Sequence, residues 1–135
     1  MKRVRPSQLF VYGTLKSCFR NRASGALRSM ALFQAQATIG GSLHLIGWYP
    51  AVKLYRRGKP VEGEVFKLKN VTKALRCLDR YEQAYAFGRD YRREPVWARS
   101  ADGTRYLCQT YVYNLPCKNF PAIVSGRFGR KRSTK

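Results

Sequence analysis

Gln8-Leu9-Phe10-Val11-Tyr12-Gly13-Thr14-Leu15-Lys16 is the stretch from which the rest of the chain can be read. Residues 9–12 form a compact apolar and aromatic run with strand character. The run stops at Gly13, where any backbone angle is open at no steric cost. A buried strand that ends in Gly-Thr can turn its next few N–H groups outward, away from any ladder. Convergent N–H groups of that kind make a concave site for an anion such as a carboxylate or phosphate. An ordinary strand followed by a turn fits the same residues, so the choice rests on what surrounds them.

At 135 residues the chain is one domain, large enough to bury roughly two thirds of its unfolded surface without staples. Hydrophobic residues make up 44%, which excludes a disordered chain. Lys and Arg number 27 against 7 acids, a formal charge of +20. Such a field attracts acidic partners of any kind: nucleic acid, anionic lipid or acidic small molecules. The four cysteines, Cys18, Cys77, Cys108 and Cys117, form no Cys-x-x-Cys pair, and with one histidine no metal site is expected. Met1-Lys2-Arg3-Val4-Arg5 leads into too short an apolar run for a signal peptide. No segment is long and apolar enough to span a membrane. Reduced thiols in a cytoplasm are the expectation. Nothing in the sequence speaks to oligomeric state.

Residues 1–7 read as a basic arm, and 16–24 as a polar loop. Leu27, Met30 and Phe33 fall at helical spacing, which predicts a short helix over 26–33. Residues 35–45 read as a strand broken by a bulge or bend at Gly40-Gly41. Gly47-Trp48-Tyr49-Pro50 reads as a turn, 51–55 as a short strand and 56–60 as a hairpin-like turn. Over 61–68, Val61, Gly63 and Val65 alternate with Glu62, Glu64 and Phe66. A helix follows, capped by Asn70 or Thr72 and running through Glu82. Residues 92–98 and 106–113 read as strands joined by a turn at Ala101-Asp102-Gly103-Thr104. From Gly126 the tail is basic and expected to be disordered. About six short strands with one clear helix predict an α+β (mixed α/β) domain, a strongly curled sheet or small β-barrel. Its bounds are taken as 8–128, with 129–135 as the basic tail.

Elimination narrows the chemistry. His44 lies in a strand, there is no Gly-x-Ser-x-Gly elbow, and no Ser-His-Asp signal is present. Neither phosphate-binding glycine loop occurs, so no nucleotide cofactor is expected. Of the seven acids, Asp90 and Asp102 sit in turns, and Glu62, Glu64 and Glu94 have arginines nearby. Glu82 differs. Leu75, Leu78 and Glu82 stand at i, i+3 and i+7 and share the apolar face of the helix. A carboxyl held beside the core has its pKa raised towards neutrality, as a general base or acid requires. A helix-end glutamate that swings out to Arg80 or Arg89 fits the same spacing.

Five segments in register resemble one family. They are Tyr12-Gly13-Thr14-Leu15, Gly47-Trp48-Tyr49-Pro50-Ala51, Val61-Glu62-Gly63-Glu64-Val65, Leu78-Asp79-Arg80-Tyr81-Glu82 and Tyr91-Arg92-Arg93. Their order is that of the γ-glutamylcyclotransferase-like family, with its γ-glutamylamine cyclotransferases and plant AIG2-like proteins. Ser125-Gly126-Arg127-Phe128 looks like a variant of that family's closing Ser-Gly-Asp-Trp. The resemblance covers about residues 8–128. It implies a small barrel with flanking helices and a cavity. It also implies a loop of Tyr12, Gly13, Thr14 and Leu15 that binds the carboxylate of a γ-glutamyl substrate, and Glu82 as the catalytic acid–base. Two positions depart from the pattern: Glu82-Gln83 where Glu-Gly is common, and Arg127 in place of the closing Asp. Both bear on substrate choice more than on chemistry.

The reaction so implied releases 5-oxoproline and a free amine, with neither metal nor cofactor. The alternative from another class is a non-catalytic basic module of the same fold that binds nucleic acid or another acidic partner. Charge, aromatic content and the Lys/Arg tail support it, and no nucleic-acid-binding motif does.

Overall fold

A computed structural model describes residues 6–13, 16, 22–46, 49–55, 57–85, 91–117 and 120–129, with the backbone alone for 22–24, 49, 79 and 81–85. The elements are β1 (Gln8–Val11), α1 (Arg22–Met30), β2 (Ala31–Ile46), β3 (Tyr49–Leu54), β4 (Lys59–Leu68), α2 (Val71–Tyr85), β5 (Tyr91–Arg99) and β6 (Arg105–Tyr113). The sheet order is β3-β2-β4-β1-β6-β5, and a pairing of Thr38 in β2 with Arg99 in β5 closes β2, β4, β1, β6 and β5 into a five-stranded barrel. The sixth strand, β3, extends the sheet from the second half of β2. All pairings are antiparallel except that of β1 with β6. The barrel with two flanking helices is the architecture expected from the sequence.

Alternation along the strands separates two cores. Phe10, Val61, Val65, Ala98, Cys108 and Val112 fill the barrel interior. Leu9, Val11, Phe66, Leu68 and Tyr111 face outward and are covered by Leu27 of α1 and Ala74, Leu75 and Leu78 of α2. The alternating residues of β4 therefore bury both faces, one inside the barrel and one beneath the helices. Asn70 caps α2: its side-chain oxygen accepts from the Lys73 N–H at 3.1 Å and its carbonyl from the Ala74 N–H at 2.9 Å.

Three local expectations are corrected. The first helix runs over Arg22–Met30 rather than 26–33, and Ala31 already pairs with Leu68. Phe33 matched the helical spacing of Leu27 and Met30, but it is a strand residue packed edge-on against its cross-strand partner Phe66, centroids 5.7 Å apart. Long-range pairing overrode local periodicity. The irregularity in β2 lies between Phe33 and Ala35, and β2 runs unbroken through Gly40 and Gly41. The reason for glycine at 41 is close approach. This residue pairs with both Lys59 and Leu54, where β2 passes from one neighbour to the other, and a Cβ there would stand 2.4 Å from the Lys53 carbonyl oxygen. Tyr49 and Pro50, expected in a turn, open β3, whereas Gly47 and Trp48 lie outside the described residues.

The segment 120–129 straps the barrel. The Leu45 N–H donates to Pro121 at 2.9 Å, Ile123 to Leu43 at 2.7 Å and Glu62 to Gly126 at 2.7 Å. Arg127 pairs with Glu62 at 3.4 Å, and Phe128 packs against the interior cluster. The basic tail expected from Gly126 onward thus includes an ordered end, and residues 130–135 lie outside the described residues. Deleting 129–135 is expected to leave the thermal midpoint within about 2 °C of the full chain. Deleting 126–135 also removes the Arg127 and Phe128 contacts and is expected to cost on the order of 2 kcal/mol, a fall of roughly 5 °C or more. Equal melts for the two truncations would refute the strap's role.

Candidate active site

The end of β1 is built from the inside out. Tyr12 is buried, its ring belongs to the interior cluster, and its hydroxyl donates to the Tyr111 carbonyl at 2.6 Å. With the side chain so engaged, Tyr12 presents backbone rather than phenol to any ligand. Gly13 follows, and its carbonyl accepts from the Lys16 N–H at 3.0 Å, three residues on. Thr14 and Leu15 lie outside the described residues. A Cβ on residue 13 would stand 2.7 Å from Pro50 Cγ, so glycine is what lets the loop's first residue press against β3.

Around that contact stand side chains that sequence reasoning assigned no role. The Tyr91 hydroxyl donates to the Pro50 carbonyl at 2.9 Å. Its ring meets that of Tyr113, its cross-strand partner, at 5.4 Å and 63°. Lys53 Nζ donates to the Tyr113 carbonyl at 2.7 Å. Tyr91 and Tyr113 are opposed in the β5–β6 hairpin, and Pro50 reaches them from β3, outside the ring of barrel strands. The signals in the sequence were the family-like segments containing Pro50 and Tyr91.

Lys16 is the other residue the loop delivers. It is 2% exposed, and its Nζ donates to the Phe128 carbonyl at 2.8 Å, tying the loop to the strap. Lys16 also lines a cavity of about 240 Å³ with Gln36, Glu62, Glu64, Arg99 and Ser100. Glu64 is buried at 1% exposure. A recess lined by both signs of charge suits a polar ligand rather than an apolar one.

Glu82 lies in the last third of α2, and its side chain is outside what is described. Leu75 and Leu78 pack with Val11 and Tyr111, and Glu82 stands one turn beyond Leu78, about 6 Å along the axis. Six positions after Tyr85, Tyr91 packs against both this cluster and the one containing Tyr113. Tyr91 thus links the cluster beneath the helices to the one around Tyr113.

Several other polar and titratable groups among the described residues are set by their local surroundings. His44 Nδ1 lies 3.2 Å from the Phe120 carbonyl and Nε2 3.1 Å from Ser42 Oγ. The carbonyl can only accept, so Nδ1 carries the proton and Nε2 accepts from the serine. This histidine fastens the strap. Burial pushes the Cys108 thiol up to about 12. The Cys117 thiol is also raised by burial, partly offset by the Lys53 ammonium. Neither is prepared as a thiolate nucleophile. Glu94 pairs with Arg92 at 2.8 Å on the surface. Asp102 is lowered to about 2 by the Ser100 hydroxyl and then the Thr104 N–H, as a turn-forming aspartate should be. Among the described residues no helix is long and apolar enough to cross a membrane.

Comparison with known proteins agrees with this architecture. The chain resembles YkqA from Bacillus subtilis at 27% identity and a TM-score of 0.68, over 92% of its own length and 40% of that chain. It thus spans less than half the length of that relative. An AIG2-like protein from Mus musculus matches at 21% identity and 0.70, over 98% of this chain and all of that one. A γ-glutamyl cyclotransferase structure matches at 17% and 0.60, over 87% and 70%. At these identities the last two likenesses are of fold. A search of the curated proteins gives no sequence match. A family model, described as gamma-glutamyl cyclotransferase, AIG2-like, matches residues 9–130. The chain belongs to the γ-glutamyl cyclotransferase, AIG2-like family.

Proposed function

We propose that this protein is a γ-glutamyl cyclotransferase-type enzyme that releases 5-oxoproline and a free amine from a γ-glutamyl amine or peptide. The observation that carries the reading is the family match over residues 9–130, supported by the seating of Gly13 against Pro50 just after β1. Backbone N–H groups of Tyr12, Gly13, Thr14 and Leu15 hold the substrate's α-carboxylate there. The α-amino nitrogen then attacks the γ-carbonyl carbon of the same glutamyl unit. A C–N bond forms to close the five-membered lactam, and the bond from that carbon to the leaving amine breaks. Attack within one molecule supplies much of the rate through proximity, so no activated serine or cysteine is required. Two protons leave the α-ammonium group. Glu82 takes one and passes it to the departing nitrogen, and the second ends on the amine, released as an ammonium ion. The loop N–H groups also stabilise the oxyanion of the tetrahedral intermediate.

The test is a panel of γ-glutamyl compounds, covering amino acids, simple amines, peptides and an isopeptide to a lysine side chain, assayed for 5-oxoproline. Release from at least one member at an enzymatic rate is expected. No release from any member by the folded full-length chain would overturn the proposal.

A further inference from the structure

The outer face of the β5–β6 hairpin carries a second surface, which meets the recess beside Lys16 at Arg99. Val96, Ala98, Tyr106 and Cys108 point into the barrel, so the odd-numbered residues of both strands point outward. Along β6 these outward positions become steadily less covered. Tyr111 lies in the cluster beneath the helices. Gln109 is buried, and its Nε2 donates to the Pro6 carbonyl at 3.1 Å. Leu107 and its cross-strand partner Trp97 are 38% and 53% exposed. Beyond them Arg105 and Arg99 face each other, both exposed.

Three features of this face point to one chemistry. An indole exposed over half its area forgoes the burial that usually holds tryptophan in a fold. The Arg105 guanidinium lies over that indole, 4.8 Å from the ring centroid, forming an extended flat surface of π and cationic character. Arg99 and Arg105 are like charges directly opposite on neighbouring strands, an arrangement that costs stability unless an anion lies between them.

We propose that the outer face of β5 and β6 is a docking surface for a single-stranded polynucleotide, with a base stacked on Trp97 and phosphates held by Arg99 and Arg105. Unpaired bases are required because a flat sheet face reads exposed π surfaces, which a duplex hides. The charge of +20 supplies the long-range attraction. A lipid surface fits less well: the apolar part is one tryptophan and one leucine on a sheet, not an amphipathic helix that inserts. The activity proposed above plays no part in this inference.

The experiment measures binding of the full-length chain to a fluorescent oligouridylate of about a dozen nucleotides, at several salt concentrations. Trp97→Ala is expected to weaken binding roughly 5- to 150-fold, the loss of one stacked base. Trp97→Phe should recover most of that loss. Arg99→Gln and Arg105→Gln should each lower the slope of log K against log salt by about 0.7. Inorganic polyphosphate, which has the charge and no bases, should bind Trp97→Ala as well as it binds the unaltered chain. The proposal is overturned if Trp97→Ala retains full oligonucleotide affinity, or if polyphosphate affinity falls equally. It is also overturned if anionic vesicles bind through Trp97 while the oligonucleotide does not. Should Trp97→Ala fail to fold, the Arg99→Gln and Arg105→Gln slopes decide: unchanged slopes for both refute the surface.

Discussion

Glu82→Gln is expected to give a folded protein that forms 5-oxoproline on the order of 10² to 10⁴ times more slowly than the unaltered chain. Gln keeps the size and hydrogen-bonding outline of Glu but cannot accept a proton from the α-ammonium group. The loss should therefore fall on kcat. KM should change little, because the loop N–H groups that grip the carboxylate are untouched. Position supports a small effect on the fold: residue 82 lies beyond Leu75 and Leu78, the α2 residues that pack with Val11. If Glu82 served as a surface ion pair instead, the pattern would invert, with near-normal turnover and a slightly lowered melt. Glu64→Gln is the control, since Glu64 is buried at 1% exposure and lines the cavity beside Lys16. Removing a buried charge from among its partners should lower stability first. Full turnover in folded Glu82→Gln would end the assignment of the base.

What could be read in the sequence was what neighbouring residues settle among themselves. The run ending at Gly13 marks the end of β1, Asn70 marks the start of α2, and Ala101-Asp102-Gly103-Thr104 joins β5 to β6. Each is decided within a handful of positions. Misreadings arose where a distant strand decided instead. Phe33 keeps time with Leu27 and Met30, yet its packing is settled by Phe66, 33 residues away. Gly40-Gly41 has the look of a bend, and the need for glycine at 41 comes from β3.

The candidate site divides in the same way. Tyr12 and Gly13 could be named because an apolar run ends there. The Pro50–Tyr91 hydrogen bond could not, since it depends on β3 meeting β5 across 41 positions, whereas the Tyr91–Tyr113 ring contact follows from the register of the β5–β6 hairpin. Lys16 was visible as the end of the opening stretch. Its burial depends on Phe128, 112 positions later. Arg127, a departure from the family's closing aspartate, pairs with Glu62. That pair gives the substitution a structural partner on the strap.

Gly63→Ala is expected to destabilise the fold by on the order of 3 kcal/mol or more, a fall in Tm of roughly 10 °C or complete failure to fold. An added Cβ at 63 would stand 2.4 Å from the Val11 carbonyl oxygen and 2.5 Å from Phe10 Cζ. Neither neighbour can retreat. Val11 is held in register opposite Glu64, and Phe10 is 1% exposed among the side chains that fill the barrel. Relief therefore has to come from β1 sliding away from β4. That displacement carries Tyr12 and Gly13 with it, so any folded fraction should also lose carboxylate binding, seen as a raised KM. Two other glycines separate this clash from a general effect of alanine. Gly25 lies in α1, where among the described residues nothing is nearer a new Cβ than Arg28 Nη2 at 3.7 Å, and Gly25→Ala should stabilise by up to about 1 kcal/mol. Gly103 has a φ of 89° in the β5–β6 turn with no atom within 4 Å, so Gly103→Ala should cost only the backbone strain of about 1 to 3 kcal/mol. Thermal melts of the three variants decide the matter, and a Gly63→Ala protein as stable as the unaltered chain would show that β1 and β4 have room to part.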